Sequence, residues 1–510
     1  MKMSAVITAW LVLVAATASG QVNIAPGASI QSVVDMNAAG TTYVLQAGTH
    51  REQQITPKSG DTFQGEMSGG TRLTTLSGAR VLTGWVQSGS QWYVTGQTQQ
   101  GTAGAIEDCL KTHPQCIYPE DLWFNTVLKF REASLVATGA GEWFFDYAAD
   151  RIYVGDDPTG QTVETSVTQG VFIASAADNV TIKDMIVEKY AGSSAGASSA
   201  VNLGYSPLGG DGWLATNLEV RYNHYAGIGN DTNTSATNNY VHHNCNSGFF
   251  GAGTDVLIES NEIAYNGIAP GFTGASAFSH PCGFDYYWGA GGSKWVFTTD
   301  LVVRGNFAHH NFGSGLWADV NNLNALFETN TVEDNYSDGI SYEISYGAII
   351  RNNTLSRNGI DLQFGDFPTS ACIKILSSPT VEISGNTCID NGNGIAIWDD
   401  TRDSGLYGSL AIVDTYIHDN RVYQRVSGQP GYNGLTNSVD DTATGAPFQA
   451  GANNRWENNL YCLTGGADPY FHWEGADLTL AQWQAQGLDV ASPAMSCPSN
   501  PRLHLPRLPR

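Results

Sequence analysis

Asp319 and Glu343 are 24 residues apart, and each stands eight residues after an Asn that ends a short strand, Asn311 and Asn335 respectively. At the same offset Asn223 leads to Asp231 and Asn244 to Ala252. If these strands stack in register, Asp319 and Glu343 lie side by side, with backbones about 4.8 Å apart. Two like charges that close raise one pKa, which suits a proton donor beside an ionised base or nucleophile. Carboxyls about 5 Å apart suit retention in glycoside hydrolysis, and a wider spacing suits inversion. The same pair with carbonyl oxygens could instead hold Ca²⁺, or could be a solvated acidic pair with no chemistry.

Aromatic and basic residues surround that pair in sequence. Trp317 precedes Asp319 by two residues, so strand alternation turns both to one face. An outward Trp beside carboxylates suits stacking on a sugar ring, although core burial is the common fate of Trp. Tyr287, Trp288, Trp295 and Trp398 are further candidates for substrate contact, as is Asp231. The segment between Asn266 and Asn311 carries His280, Asp285, Tyr286, Tyr287, Trp288 and then GAGGSK, ending at Lys294. A long aromatic loop one coil before Asp319 is placed to form a cleft wall. Lys294 has three readings: it neutralises a substrate carboxylate, acts as base in β-elimination, or pairs with Asp319. His242-His243 and His309-His310 each precede a turn Asn, a shared register that reads as a repeated surface position. His310, on the coil of Asp319, is the histidine that joins the catalytic candidates.

These candidates need a scaffold that repeats. From Trp213 onward a short alternating strand ending in Asn is followed by a Gly-led strand, with the Asn at 223, 244, 266, 311, 335, 358 and 391. Successive steps are 21, 22, 45, 24, 23 and 33 residues, the longer ones carrying loops. A period of roughly 22 residues signals a solenoid whose units cannot bury their apolar faces alone. The strands are β-branched with no helical stretch between them, which excludes βαβ units. The pattern predicts an all-β parallel β-helix, wound right-handed. Stacked Asn side chains can form an amide ladder that satisfies turn backbone groups, and Asn tolerates the left-handed backbone such turns need. Sequons at Asn179, Asn230, Asn233, Asn335 and Asn352 matter only in a host that glycosylates.

The flanks divide the chain further. Residues 1–20 read as a secretory signal, with Lys2 before an apolar stretch from Ala5 to Ala16. Residues 21–82 hold the N-terminal cap and first coils, with a short amphipathic helix at Ser29–Met36. Residues 83–165 break the repeat and read as a β-rich insertion, with a hairpin turning at Ala148-Ala149-Asp150. The main β-helix covers 166–425, the C-terminal coils and cap 426–497 with a small helix at Leu478–Gln486, and a flexible tail 498–510. Eight cysteines fit an oxidising compartment; Cys109–Cys116, Cys372–Cys388 and Cys462–Cys497 are plausible pairs among 105 connectivities.

Charge narrows the partners. The net charge of −24 repels nucleic-acid phosphates and makes a neutral glycan an easier partner than a polyanion. No second apolar run follows the N-terminal one, so membrane insertion is not expected. A monomer is expected. No Cys or His spacing suits zinc, and no cofactor is required, with Ca²⁺ the one ion kept open.

The repeats resemble the pectate-lyase-like superfamily of right-handed parallel β-helix proteins, including the β-helix repeat group of bacterial secreted proteins. The resemblance runs from about Ile24 to Asp489 and includes PGASIQSVV, TYVLQAGTHR, YPEDLWF, WFFDYAADRIYVGDDPTG, GAGGSK, GLWADVNN and GISYEISYGAIIRNN. It implies a secreted, extracellular or periplasmic, carbohydrate-active protein. The superfamily holds hydrolases, eliminating lyases, C5-epimerases and non-catalytic adhesins, so fold does not choose among them. The residues favour a glycoside hydrolase acting on an extracellular or cell-wall polysaccharide. Asp319 and Glu343 would share the acid and base or nucleophile roles, with Trp317 as sugar platform and Lys294 orienting substrate. A uronate lyase or epimerase and a glycan-binding adhesin remain the alternatives.

Overall fold

The computed structural model describes residues 21–492 except 174, 197–198, 205–209, 361–366, 401, 403, 426–430, 438–445 and 465–469. The expected signal segment, the C-terminal tail and Cys497 lie outside the described residues.

The strands are short, two to nine residues, because each Gly- or Asn-marked turn leaves room for only a short β-branched run. One coil supplies Phe307–His309, Leu316–Asp319 and Leu323–Glu328; the next supplies Thr331–Glu333, Ile340–Glu343 and Tyr346–Arg351. Each strand pairs in parallel with its equivalent on the next coil. Such pairing cannot bury an apolar face within one coil, so equivalent inward residues line up along the axis. One column runs Phe63, Ile182, Ala215, Ala236, Ile258, Val303, Phe327, Ile350, Ile383, Ile417 and Trp456, and all belong to one core.

The Asn repeat forms a continuous amide ladder. Asn223, Asn244, Asn266, Asn311, Asn335, Asn358 and Asn391 are linked Nδ2 to Oδ1 at 2.8–3.0 Å. The left-handed residue of each turn is not the ladder Asn but the one before it: Tyr222, His243, Tyr265, His310, Asp334, Arg357 and Asp390 have φ of 51–59°. The turn kinks there and aims the following Asn into the stack, where burial holds its amide in register. A second ladder escaped the sequence reading, although its residues open the same strand motifs. It runs Asn239, Asn261, Asn306, Asn330, Asn353, Asn386, Asn420 and Asn459, and ends on Asp489.

Both ends are closed. Helix Ile30–Met36, N-capped by Ser29, buries Ile30 and Val34, and Lys58 Nζ bonds the carbonyls of Val34, Asp35 and Asn37 at 2.8, 3.1 and 2.5 Å. Cations suit that end of a helix, where carbonyls lack partners. At the other end, helix Leu480–Ala485 begins with a Thr479/Gln482 capping box and buries Trp483 against Phe471, ring centroids 5.0 Å apart.

The insertion is an eight-stranded sheet between Ala79 and Ser166. It starts a few residues earlier than the sequence suggested, because Ala79–Val81 pairs with Val163–Ser166 to close its neck. The hairpin Glu142–Asp146/Arg151–Val154 turns at the expected residues. Disulfides join Cys109–Cys116, Cys245–Cys282 and Cys372–Cys388.

Buried ionic contacts fasten the insertion to the solenoid. Glu164 meets Arg51 at 2.6 Å and also Lys189. His224, on the first turn of the regular repeat, lies 3.0 Å from both the Asp121 carboxylate and the Cys116 carbonyl. Both partners are acceptors, so both ring nitrogens must donate and the ring is an imidazolium. Burial alone would lower the His224 pKa, but Asp121, the Cys116 carbonyl and Glu120 outweigh it and the pKa is raised. A raised folded-state pKa stabilises fully below the unfolded value of about 6.5 and is lost as pH rises through the folded value. The melting temperature should therefore fall as pH is raised above neutrality. His224→Gln should flatten that dependence in thermal unfolding measured across pH; an unchanged profile would remove this account.

Candidate active site

Alternation along three neighbouring strands sorts core from chemistry. Leu316, Ala318, Ile340, Tyr342, Ile373 and Ile375 point inward and are fully buried. The outward positions form two rows: Trp317, Ser341 and Lys374, and then Asp319, Glu343, Leu376 and Trp398. Asp319 and Glu343 are direct register partners, so the equal offset from their ladder Asn residues becomes adjacency on one face.

A cleft of about 500 Å³ opens on this face. Trp317, Glu343, Lys374 and Trp398 line its floor; the loop Asp285–Trp288 forms one wall and Asp400 with Arg402 another. Tyr287 and Trp288 are 62% and 57% exposed, large aromatic surface beside an open cleft. Such faces suit the C–H side of a sugar ring.

The charges are arranged around Glu343. Lys294 Nζ is 3.0 Å from Asp319 Oδ2, donates to the Trp288 carbonyl at 2.6 Å, and lies 4.0 Å from the Trp317 ring centroid. Of the three readings of Lys294, the ion pair with Asp319 is the one formed. Asp319 is 7% exposed, and its Oδ1 is buried with no hydrogen-bond partner among the described residues. Asp319 and Lys294 thus sit just beneath the lining, against Trp317. On the next coil Lys374 Nζ pairs with Asp338 Oδ2 at 2.8 Å, and Asp338 Oδ1 accepts from the Ala371 amide at 2.9 Å. Arg402 pairs with Asp400 at 3.3 Å.

Glu343 is left over. The residue is half-buried, and among the described residues its carboxyl has no hydrogen bond and no ion pair. Burial raises its pKa, Lys374 pulls it partly back, and the Asp319 charge raises it again, for a net rise. Burial would lower the Lys374 pKa, but Asp338 and Glu343 carry it upward. Burial and the Asp319 charge thus favour the protonated form of Glu343, while Asp338 and Glu343 favour the charged form of Lys374.

Asp338 was not among the candidates read from the sequence. It stands three residues after ladder Asn335, outside the offset that located Glu343, and only the next coil's Lys374 gives it a role. Other candidates lie elsewhere. Trp295 is fully buried, because one step from Lys294 along a strand reverses the facing. Asp231 follows strand Ala226–Asn230 in a turn, where its Oδ1 accepts from Thr232 at 2.6 Å, and it does not line the cleft. His310 occupies the left-handed corner before Asn311, with its ring 5.1 Å from Tyr265 and Nδ1 3.0 Å from His309 Nδ1. That corner precedes the cleft strand, so His310 shares the coil of Asp319 but not its face. The histidine pairs are not surface positions either: His242, His243 and His309 are buried, packed on Tyr240, Tyr265 and Phe307. No cluster of three metal-ligating side chains occurs among the described residues, and no helix among them is long and apolar enough to cross a membrane.

Residues 208–367 match the family described as right handed β-helix region. No curated protein matches the chain in sequence. Among solved structures, the complex of XylC with xylose is 13% identical, covering 88% of this chain and 84% of that one, with a TM-score of 0.55. The A-module of the Azotobacter vinelandii mannuronan C-5 epimerase AlgE4 is 14% identical, covering 88% and 94%, with a TM-score of 0.48. A glycoside hydrolase is 8% identical, covering 89% and 96%, with a TM-score of 0.42. Strand register, the family match over the central coils and the likeness to XylC agree on one architecture: this chain is a right-handed parallel β-helix protein.

Proposed function

We propose that the protein is a secreted glycoside hydrolase that cleaves a neutral extracellular or cell-wall polysaccharide in the cleft over Glu343. The observation that carries this reading is the charge pairing. Lys294, Lys374 and Arg402 each have a carboxylate partner, while the Glu343 carboxyl on the cleft floor has neither an ion pair nor a hydrogen bond among the described residues. Glu343 would protonate the leaving glycosidic oxygen. Asp319, its register partner beneath the lining, would act on the Glu343 proton through its charge, with Lys294 as its counter-charge. Trp288, Tyr287, Trp317 and Trp398 would hold the sugar rings. No metal is needed for these steps, and the chain would act as a monomer.

The pairing also weighs against a uronate lyase or epimerase. Among the described residues no cleft cation is left over for a substrate carboxylate, and a lysine base needs a lowered pKa whereas Lys374 has a raised one. The test is a polysaccharide panel with product mass spectrometry, with and without chelator. Products that gain water, unaffected by chelation, are expected. Unsaturated products would mean elimination, and binding without turnover would mean an adhesin; either overturns the proposal.

Trp288→Ala should raise KM about tenfold with kcat nearly unchanged, since stacking would hold substrate and transition state alike. Equal loss from kcat alone would show that Trp288 does not act as a platform.

A further inference from the structure

A second cleft, sharing no lining residue with the first, lies where the inserted sheet meets the solenoid and encloses about 450 Å³. Ligand pockets span roughly 300–1,000 Å³. Its most constrained side chain is Arg131, 8% exposed, with the guanidinium over Tyr118 at 4.1 Å and Tyr147 at 4.9 Å from the ring centroids. One Nη lies 3.2 Å from Glu120, whose carboxylate also accepts from the Tyr147 hydroxyl at 2.6 Å and the Gly101 amide at 2.5 Å. Arg131 Nε is buried without a partner among the described residues.

The walls alternate donors and acceptors. The His113 ring packs on Phe130 at 4.9 Å, and Nδ1 contacts Thr112 Oγ1 at 2.9 Å. Burial lowers the His113 pKa, which favours the neutral ring, and Nε2 has no partner among the described residues. Across the cleft, Asp121 gives one oxygen to His224, while its other oxygen is buried and unpartnered. Glu132 and Glu142 also line the cleft, and Lys129 is committed to Asp156 at 2.8 Å. Four lining carboxylates (Glu120, Asp121, Glu132 and Glu142) face Lys129, Arg131 and the His224 imidazolium, so the cleft offers no surplus positive charge to an anion. Aromatic side chains, the His113 ring nitrogen, unpartnered polar atoms just beneath the surface (Arg131 Nε and the Asp121 oxygen) and near-balanced charge match an uncharged ring that carries hydroxyls on its edge and C–H groups on its face.

We propose that this junction cleft is a second carbohydrate site that binds a neutral sugar residue. The choice of probes rests on the neutral-glycan reading of the first cleft; the site itself does not. A polysaccharide bound at two places on one chain would gain avidity set by the span between them.

The test is calorimetric titration of the Glu343→Gln protein with xylohexaose, cellohexaose and mannohexaose. Two binding events per chain are expected for at least one probe. On that background His113→Ala and Arg131→Lys should each weaken one event by tenfold or more and spare the other; Arg131→Lys keeps the charge but loses the planar fork. Trp288→Ala should weaken the other event instead. Circular dichroism and melting temperature check that each variant is folded. A single event, no event with any probe, or a second event unmoved by both junction variants in folded protein overturns the proposal. Absence of wild-type turnover on the panel would sink the hydrolase reading alone, because the titration reads binding.

Discussion

Glu343→Gln lowers kcat on the cleaved glycan by about 10²–10⁴-fold, the usual contribution of a positioned general acid, and leaves KM within a few-fold of its starting value. Glutamine keeps the shape and loses only the proton, so folding and sugar stacking should survive. The pH dependence follows from the direction of the shift. With a pKa raised above the ordinary glutamate value of 4.5, Glu343 is protonated and active below its folded-state pKa, and activity is lost as pH rises through it. The alkaline limb of kcat/KM should therefore lie above 4.5 and be absent from the residual activity of Glu343→Gln. Two further substitutions test the flanking acids. Asp319→Asn and Asp338→Asn should each cost less than Glu343→Gln and mainly move the limb to lower pH, because both act on Glu343 through their charge. Retention of full activity by Glu343→Gln in a rate assay would end the assignment.

Asn311→Ala destabilises the protein by about 4 kcal/mol or more, a large effect for one polar residue. The Asn311 amide accepts from the backbone and side-chain nitrogens of Asn266 at 3.1 and 2.9 Å, and donates to the Ile263 carbonyl and Asn335 at 2.9 Å each. All are buried; Asn335 Oδ1 keeps the Asn311 backbone N–H at 3.0 Å, so truncation strands three polar groups, two Asn266 donors and the Ile263 carbonyl, at roughly 1–3 kcal/mol apiece, softened by local relaxation. Asn23→Ala is the control: among the described residues its side chain makes one exposed contact, accepting from Gln21 at 3.1 Å, and it should shift stability by less than about 0.5 kcal/mol. Urea denaturation followed by circular dichroism compares the two. Equal midpoints would mean that the ladder is ornamental.

The ladder also explains which parts of this protein can be read without coordinates. A coil is local: its strands, turn Asn and Gly-led second strand lie within about two dozen residues, and each repetition of the pattern is another sample of the same signal. That is why the repeat, the two end helices and the hairpin of the insertion are visible in the sequence. The second ladder was equally present, at the head of the motifs NYVHHN, NEIAYN and NFAHHN, but an Asn that opens a strand looks like any loop residue until its neighbours are stacked.

The register that sets Asp319 beside Glu343 came from the spacing alone, because a constant offset from a ladder residue survives stacking whenever no loop intervenes. Facing along a strand came from alternation, and it failed for Trp295 only because no strand boundary had been placed to set its phase. What the spacing could not supply is which charges meet. The pairing of Lys374 with Asp338 and of Lys294 with Asp319, the exclusion of His310 and Asp231 from the cleft, and the junction where Arg131 meets Tyr118 all depend on side chains from separate coils or from the insertion. Those contacts are fixed by packing in three dimensions and leave no period in the chain. The sequence by itself determined the solenoid and the side-by-side placement of two acids, since both follow from repetition. The tertiary structure decided which acid stays unpaired, since burial and the counter-charges that set its protonation come from residues with no common spacing.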